Sequence, residues 1–202
     1  MDVTLPDNCE TMKLPDPYLV NYWRLADNRI YYINDEINED TLEIQKDIIT
    51  VNIEDKDKKV EERKPIIILI NSPGGLLQET MSVAQSMIMS KTPVITVNVG
   101  TAYSGGSLLL MAGHKRYAFK YSKAMVHSGG TSGVAGTYEQ TEAAQKVYKK
   151  QIDEMGKYIL ERTKIPENLF KKNKSKDWYM DHDEQIKYGI VDSIIESLDE
   201  II

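Results

Sequence analysis

The chain has 202 residues, of which 41% are apolar and 28% charged, and a formal net charge of -6 at pH 7. That length gives one compact domain with a sizeable core and leaves little for a second; the composition is that of a soluble globular protein. An acidic balance argues against nucleic acid as the main partner, because phosphate binding draws on a basic surface, and the single cysteine, Cys9, rules out an intramolecular disulfide framework and sets a reducing, cytoplasmic compartment as the expectation.

Residues 1–17 carry Pro6, Pro15 and Pro17 among acids and read as a flexible N-terminal arm, with Cys9 a free surface thiol in it. Residues 18–202 are then one domain. The start has neither a basic cluster nor an apolar run, so no secretory signal is expected. No segment approaches the roughly 20 apolar residues of a membrane span. Residues 28–34, rich in β-branched and aromatic side chains, predict a first strand. Asn38, followed by Glu39 and Asp40, marks a helix start. Ile44, Ile48 and Val51 give that helix one apolar face, and Leu42 with Ile49 a second flank, so it is expected to be buried on more than one side. Residues 54–64 are nearly all charged and read as a solvated loop.

The run 66–70 is continuously apolar, as suits a strand covered on both faces. Asn71-Ser-Pro-Gly-Gly75 is turn chemistry, residues 76–91 are helical by periodicity, and 93–99 form a second buried strand ended by Gly100. A short helix is predicted from near Ser104 to before Gly113. Two short strands follow at 115–119 and 124–127, then a glycine-rich stretch at 129–136. Residues 138–162 form the longest helix, with Ala144, Val147, Tyr148, Ile152, Met155 and Ile159 spaced three and four apart. Val147, Ile152, Met155 and Ile159 make a stripe expected to face another copy of the chain. Two short helices and a strand at 190–194 complete the chain. The order βαβαβ predicts a parallel sheet with crossover helices.

In an open α/β sheet, ligands bind beyond the carboxyl ends of the strands. Those ends are 71–75 and 100–106, both glycine-rich and both at helix starts, where backbone N–H groups can face an anion. Neither a Walker A nor a dinucleotide glycine spacing is present, which favours an oxyanion hole over phosphate. Ser104 reads locally either as a helix N-cap or as a nucleophile held at a sharp turn. Of three histidines, His114 sits beside Lys115 and Arg116 and reads as solvated. His182 lies between Asp181 and Asp183 at a helix start. His127 ends an apolar strand before Ser128 and two glycines, and is the sensible base. Acids are too numerous for composition or spacing to choose the group that orients it.

Six motifs stand in order along the chain: 70–75, 100–104, 108–113, 115–118, 125–127 and 188–192. Together they resemble the proteolytic subunit of the Clp protease, serine peptidases with a crotonase-like fold of repeated ββα units and a protruding handle helix. The resemblance runs from about Tyr22 to about Ile194. It implies Ser104 as nucleophile, His127 as general base, Asp177 as the third triad member, and the backbone N–H groups of Gly75 and Gly105 as oxyanion donors. Asp192 then belongs to a structural turn. It also implies polypeptide substrates, heptameric rings stacked in pairs with 138–162 as the ring-to-ring handle, a Clp-type ATPase as feeding partner, and no cofactor, metal, nucleic acid or membrane.

The chain departs from that family at several positions. Tyr103 and Gly105 replace the usual Ala and Met around the serine, so the nucleophile is expected to lose a packing side chain. Ser128-Gly129-Gly130 replaces Gln-Pro after the histidine, the charged loop is longer, and the arm lacks an apolar axial segment. Ile67 and Leu69 stand where the family places aromatic residues for its ATPase. Two other functions fit the same fold: a catalytically weak structural partner subunit, and a crotonase-type acyl-CoA enzyme.

Overall fold

A computed structural model describes residues 16–130 and 135–202; Cys9, most of the arm and part of the glycine-rich stretch lie outside the described residues. The first element is one the sequence reading passed over, helix α1, Pro17–Asp27. Its signal was present: Asp16 accepts a hydrogen bond from the Tyr18 N–H, and Pro17 sits at the first helical position, where its missing donor costs nothing.

Strand β1 (Ile30–Ile33) is followed by α2 (Leu42–Glu54), β2 (Ile66–Ser72), α3 (Leu77–Met89) and β3 (Val94–Tyr103). Then come α4 (Gly105–Ala112), β4 (Lys115–Ala118) and β5 (Lys123–Val126). The chain ends with α5 (Tyr138–Arg162), α6 (Glu167–Asn173), β6 (Trp178–Met180), α7 (His182–Lys187) and β7 (Ser193–Ile194). One sheet carries the order β1-β2-β3-β4-β7, parallel throughout, which is the βαβ arrangement expected. Beyond it β5 pairs with the far end of β3 in parallel, and β6 pairs with β5 antiparallel.

The central strand β3 is covered on both sides. Its polar positions survive burial because each is satisfied: Thr96 Oγ1 donates to the Leu110 carbonyl at 2.7 Å, and Asn98 Nδ2 reaches the Lys123 carbonyl and Gln185 Oε1 at 3.0 Å each. One face of the sheet packs against α2, α3 and α4 in the main core. On the other, Ile30, Ile67 and Val97 are closed over by Ile195 and Ile201 from the C-terminal segment.

Three expectations need correction. Helix α2 is fully buried only at Ile48 and Val51; Leu42 and Ile44 pack against the core while half-buried, but Ile49 and Ile53 are exposed, so the second flank is only partly covered. The charged segment 54–64 is not wholly solvated. Asp55 is fully buried, bound by Arg29 through both carboxylate oxygens at 2.6 and 3.0 Å, by Lys58 at 2.8 Å and by Thr92 Oγ1 at 3.1 Å. A carboxylate that lost water on folding needs this set of donors to remain charged.

The stripe on α5 divides in two. Met155 and Ile159 are buried in the chain's own core and Ile152 packs against it, whereas Val147 stands in the open. The C-terminal half of α5 lies on α4, with Tyr158 Oη donating to the Leu108 carbonyl at 2.8 Å. Arg162 caps the end of α4, donating to the carbonyls of Met111, Ala112 and Gly113 at 2.9, 3.2 and 2.8 Å. The helix is about 37 Å long at 1.5 Å per residue, and its N-terminal half is the part left to project.

Candidate active site

The carboxyl ends of β2 and β3 lie side by side, with Ser72 opposite Ala102 in the register. This brings Asn71-Ser-Pro-Gly-Gly75 against the start of α4. A Cβ added to Gly74 would fall 2.7 Å from Ser104 Cβ and 2.9 Å from the Gly105 nitrogen, which measures how closely the two turns touch. The 71–75 turn is held from below: Ser72 Oγ donates to the Asp35 carbonyl at 2.7 Å and accepts from the Gly74 N–H at 3.1 Å. Residue Ile37 bridges to Gly75, its N–H bonded to the Gly74 carbonyl and its carbonyl to the Leu76 N–H. Among the described residues, the N–H groups of Gly75 and Gly105 have no acceptor.

Ser104 opens α4 with φ 50° and ψ -117°, a left-handed conformation costing a β-carbon residue about 1–3 kcal/mol. The surroundings impose it. The Ser104 N–H donates to the Met125 carbonyl at 2.9 Å, and its own carbonyl accepts from Ser107 Oγ at 2.7 Å. The Ser104 side chain does not cap its helix. Its Oγ lies instead 2.7 Å from His127 Nε2.

Strand pairing decides where the histidine's other neighbour comes from. Ala124, Met125 and Val126 face Met180, Tyr179 and Trp178 in antiparallel register. Both strands end there, and continuing their register by one residue would set His127 opposite Asp177, within reach of its side chain. Asp177 Oδ1 is 3.0 Å from His127 Nδ1. A carboxylate can only accept, so Nδ1 carries the proton and donates, and in the neutral ring Nε2 is left to accept from Ser104. Asp177 itself is about half exposed (54%), His127 less so (25%).

The remaining candidates stay apart from this cluster. His114 is more than solvated, since its Nδ1 accepts from the Val94 N–H at 2.9 Å. His182 lies at the start of α7, where Asp181 is the N-cap, accepting from the Glu184 N–H. Asp192 holds Arg116, through the Arg116 N–H at 2.9 Å and the guanidinium. Burial tends to raise its carboxyl pKa, but Arg116 prevails and holds it below the usual carboxylate value.

The loss of a packing side chain at position 105 is made good by residues the sequence reading did not name. A Cβ on Gly105 would meet Thr80 Oγ1 at 2.6 Å and Ile37 Cδ1 at 3.1 Å. The space is already filled from α3 and from the 34–38 turn. Beside Ser104 lies a cavity of about 150 Å³ with an apolar wall of Leu77, Leu108, Tyr148, Ile152 and Met155. Gly129 and Gly130 also line it.

The arrangement can shift a hydroxyl proton to an imidazole whose tautomer is fixed by a carboxylate, next to two free N–H donors. Comparison with known proteins agrees in kind. The Clp protease family profile matches residues 18–198. The ATP-dependent Clp protease proteolytic subunit 2 of Bacillus licheniformis is 33% identical over 175 residues, covering 85% of this chain and 88% of that protein. With the profile spanning nearly the whole sheet, its helices and the Ser104 turn, the chain belongs to the Clp protease family.

Proposed function

We propose that the chain is a serine endopeptidase that cleaves unfolded polypeptides through an acyl-enzyme formed on Ser104. Ser104 Oγ attacks the scissile carbonyl while His127 Nε2 takes its proton. Asp177 holds the imidazole with Nδ1 protonated and stabilises the imidazolium that forms. The N–H groups of Gly75 and Gly105 receive the oxyanion, and His127 then returns the proton to the leaving amine. Water repeats the sequence to release the acyl group. The observation that carries the reading is Ser104 itself: a strained serine that forgoes its helix cap and offers its hydroxyl to His127 at 2.7 Å.

The apolar cavity beside it favours substrates with a medium-sized apolar side chain on the acyl side of the cut. A serine-directed fluorophosphonate, with the labelled residue read by mass spectrometry, tests the core of the proposal. Ser104 is expected to be the labelled serine, and Ser104→Ala to lose both labelling and peptide cleavage while keeping its fold. Peptide cleavage by Ser104→Ala at the parent rate would reject the serine mechanism.

Assembly belongs to the same proposal. The exposed N-terminal half of α5, with Tyr138 and Val147, and an apolar groove of about 900 Å³ between α2 and α3 that exposes Ile49, Ile53 and Met89, suit contacts with further copies in stacked heptameric rings. Native mass spectrometry should find an oligomer; a monomer throughout the micromolar range would refute it. A Clp-type ATPase would feed the chamber, and its stimulation is expected to be weak. Ile67 is already buried against the C-terminal segment, and neither it nor Leu69 offers an aromatic ring, although Tyr117 and Phe119 pack on the same cluster. Strong stimulation by a standard Clp unfoldase would overturn that part.

A further inference from the structure

We propose that Tyr103 is a positioning residue, whose ring holds strand β6 so that Asp177 stays on His127; this rests on the triad reading above. The sheet register supplies the geometry. Tyr103 of β3 is paired with Met125 of β5, and Met125 with Tyr179 of β6, so the three stand in one row across three strands. The two tyrosine rings meet over that row, with centroids 5.3 Å apart and planes at 85°, an edge-to-face contact. Met125 between them is buried.

The contact falls on the part of the site with the least other support. Strand β6 has three residues and a single neighbour, β5. Side chains alternate along it, so Trp178 and Met180 share one face, and Asp177 and Tyr179 the other. The first face is secured, Met180 being fully buried and Trp178 meeting Tyr188 edge-on at 5.1 Å. On the face that carries Asp177, Tyr179 is half exposed, and the Tyr103 ring is the aromatic partner it has among the described residues. Asp177 is also half exposed, so water competes for its hydrogen bond whenever β6 moves. The larger residue at 103 thus couples the residue beside the nucleophile to the strand that follows the acid.

The test is a set of peptide-cleavage kinetics on the full chain. Tyr103→Ala and Tyr179→Ala should each lower kcat by roughly 10- to 100-fold, the cost of a displacement on the order of 1 Å at a catalytic group, with KM little changed. Tyr103→Phe, which keeps the ring, should stay within about 3-fold of the parent. The deciding comparison is in the Asp177→Asn background, where Tyr103→Ala should add no further loss, because its effect runs through the carboxylate. Circular dichroism melts establish that each variant is folded, and Tyr179→Leu serves if Tyr179→Ala is not. Full activity in Tyr103→Ala, failure of Tyr103→Phe to rescue, or losses that multiply with Asp177→Asn would each overturn the proposal. Full activity of Asp177→Asn on its own would instead overturn the triad reading, and the proposal with it.

Discussion

Gly75→Ala adds a single methyl group, and the structure assigns it nowhere to go. The new Cβ would lie 2.1 Å from the Ile37 carbonyl oxygen, 2.7 Å from its nitrogen and 2.8 Å from its carbonyl carbon, at a φ of +155°. These are backbone atoms of the bridge that holds the turn, so no side-chain rotation relieves the overlap. Restoring van der Waals contact takes a movement on the order of 1 Å, the scale that costs about 100-fold in turnover when a catalytic group is displaced. Loss of one oxyanion donor is worth about 10²–10³ in kcat, so the two estimates agree. Backbone strain of about 1–3 kcal/mol and overpacking of about 1–3 kcal/mol add to roughly 2–6 kcal/mol of lost stability. For a domain of this size the melting temperature should fall by roughly 5–20 °C. Gly130→Ala is the control, since it borders the same cavity and its added Cβ meets nothing within 4 Å among the described residues. Turnover of a fluorogenic peptide, measured well below both melting temperatures, decides the matter. A folded Gly75→Ala protein with turnover within about 3-fold of the parent would show that this N–H does not receive the oxyanion.

Further outcomes follow from other parts of the fold. Asp177→Asn should keep the geometry but favour the wrong tautomer and lower turnover by roughly 10⁴, by analogy with the aspartate of trypsin-like proteases, while Asp181→Asn and Asp183→Asn stay near the parent in the same assay. Asp55→Asn should cost about 3–5 kcal/mol in chemical denaturation, because it breaks a buried ion pair and leaves Arg29 only the longer contact to Glu54 and the Lys64 carbonyl. The Arg29 hydrogen bond, with those of Lys58 and Thr92, outweighs burial and holds the Asp55 carboxyl well below its ordinary value. Its stabilising contribution should therefore be complete above about pH 4, the unfolded value, and be lost as pH falls towards the depressed folded value; an Asp55→Asn variant with the same acid-limb slope as the parent would refute this. Val147→Asp should weaken assembly in native mass spectrometry with little effect on melting, and Ile152→Asp should lower both peptide turnover and melting because Ile152 lines the cavity and touches the core.

Much of this was readable in residues before any coordinates. The run Ile66–Ile70 suited a strand covered on both faces, and the paired glycine turns at 71–75 and 100–106 were placed to meet wherever β2 and β3 ran parallel. Ser104 stood at one of those ends but could be read as a helix cap as well as a nucleophile, and His127, after β5, was the sensible base among three histidines. Asp177 could not be chosen from the residues alone, because which carboxylate meets His127 depends on an antiparallel register, and β6 is three residues long. Trp178-Tyr179-Met180 carried a strand signal, and pairing it with 124–126 would have singled out Asp177. The filling of space around Gly105 by Ile37 and Thr80 was out of reach, since those residues stand 68 and 25 positions before it and meet it only in the fold. Asp55 was misjudged because nine charged neighbours in residues 54–64 conceal one that turns inward to Arg29.

Helix α4 has all eight residues buried, and its two ends are treated in opposite ways. At one end Arg162 sets a fixed positive charge on three carbonyls that water cannot reach. At the other, the Gly105 N–H is left open beside Ser104. Over roughly 12 Å of helix, the negative pole is neutralised and the positive pole is not, so the field at Ser104 is that of a polarised rod with one terminal grounded. The grounding charge comes from the last turn of α5. The helix proposed to meet other copies of the chain is thus, at its base, part of the electrical circuit of a hydroxyl it never touches.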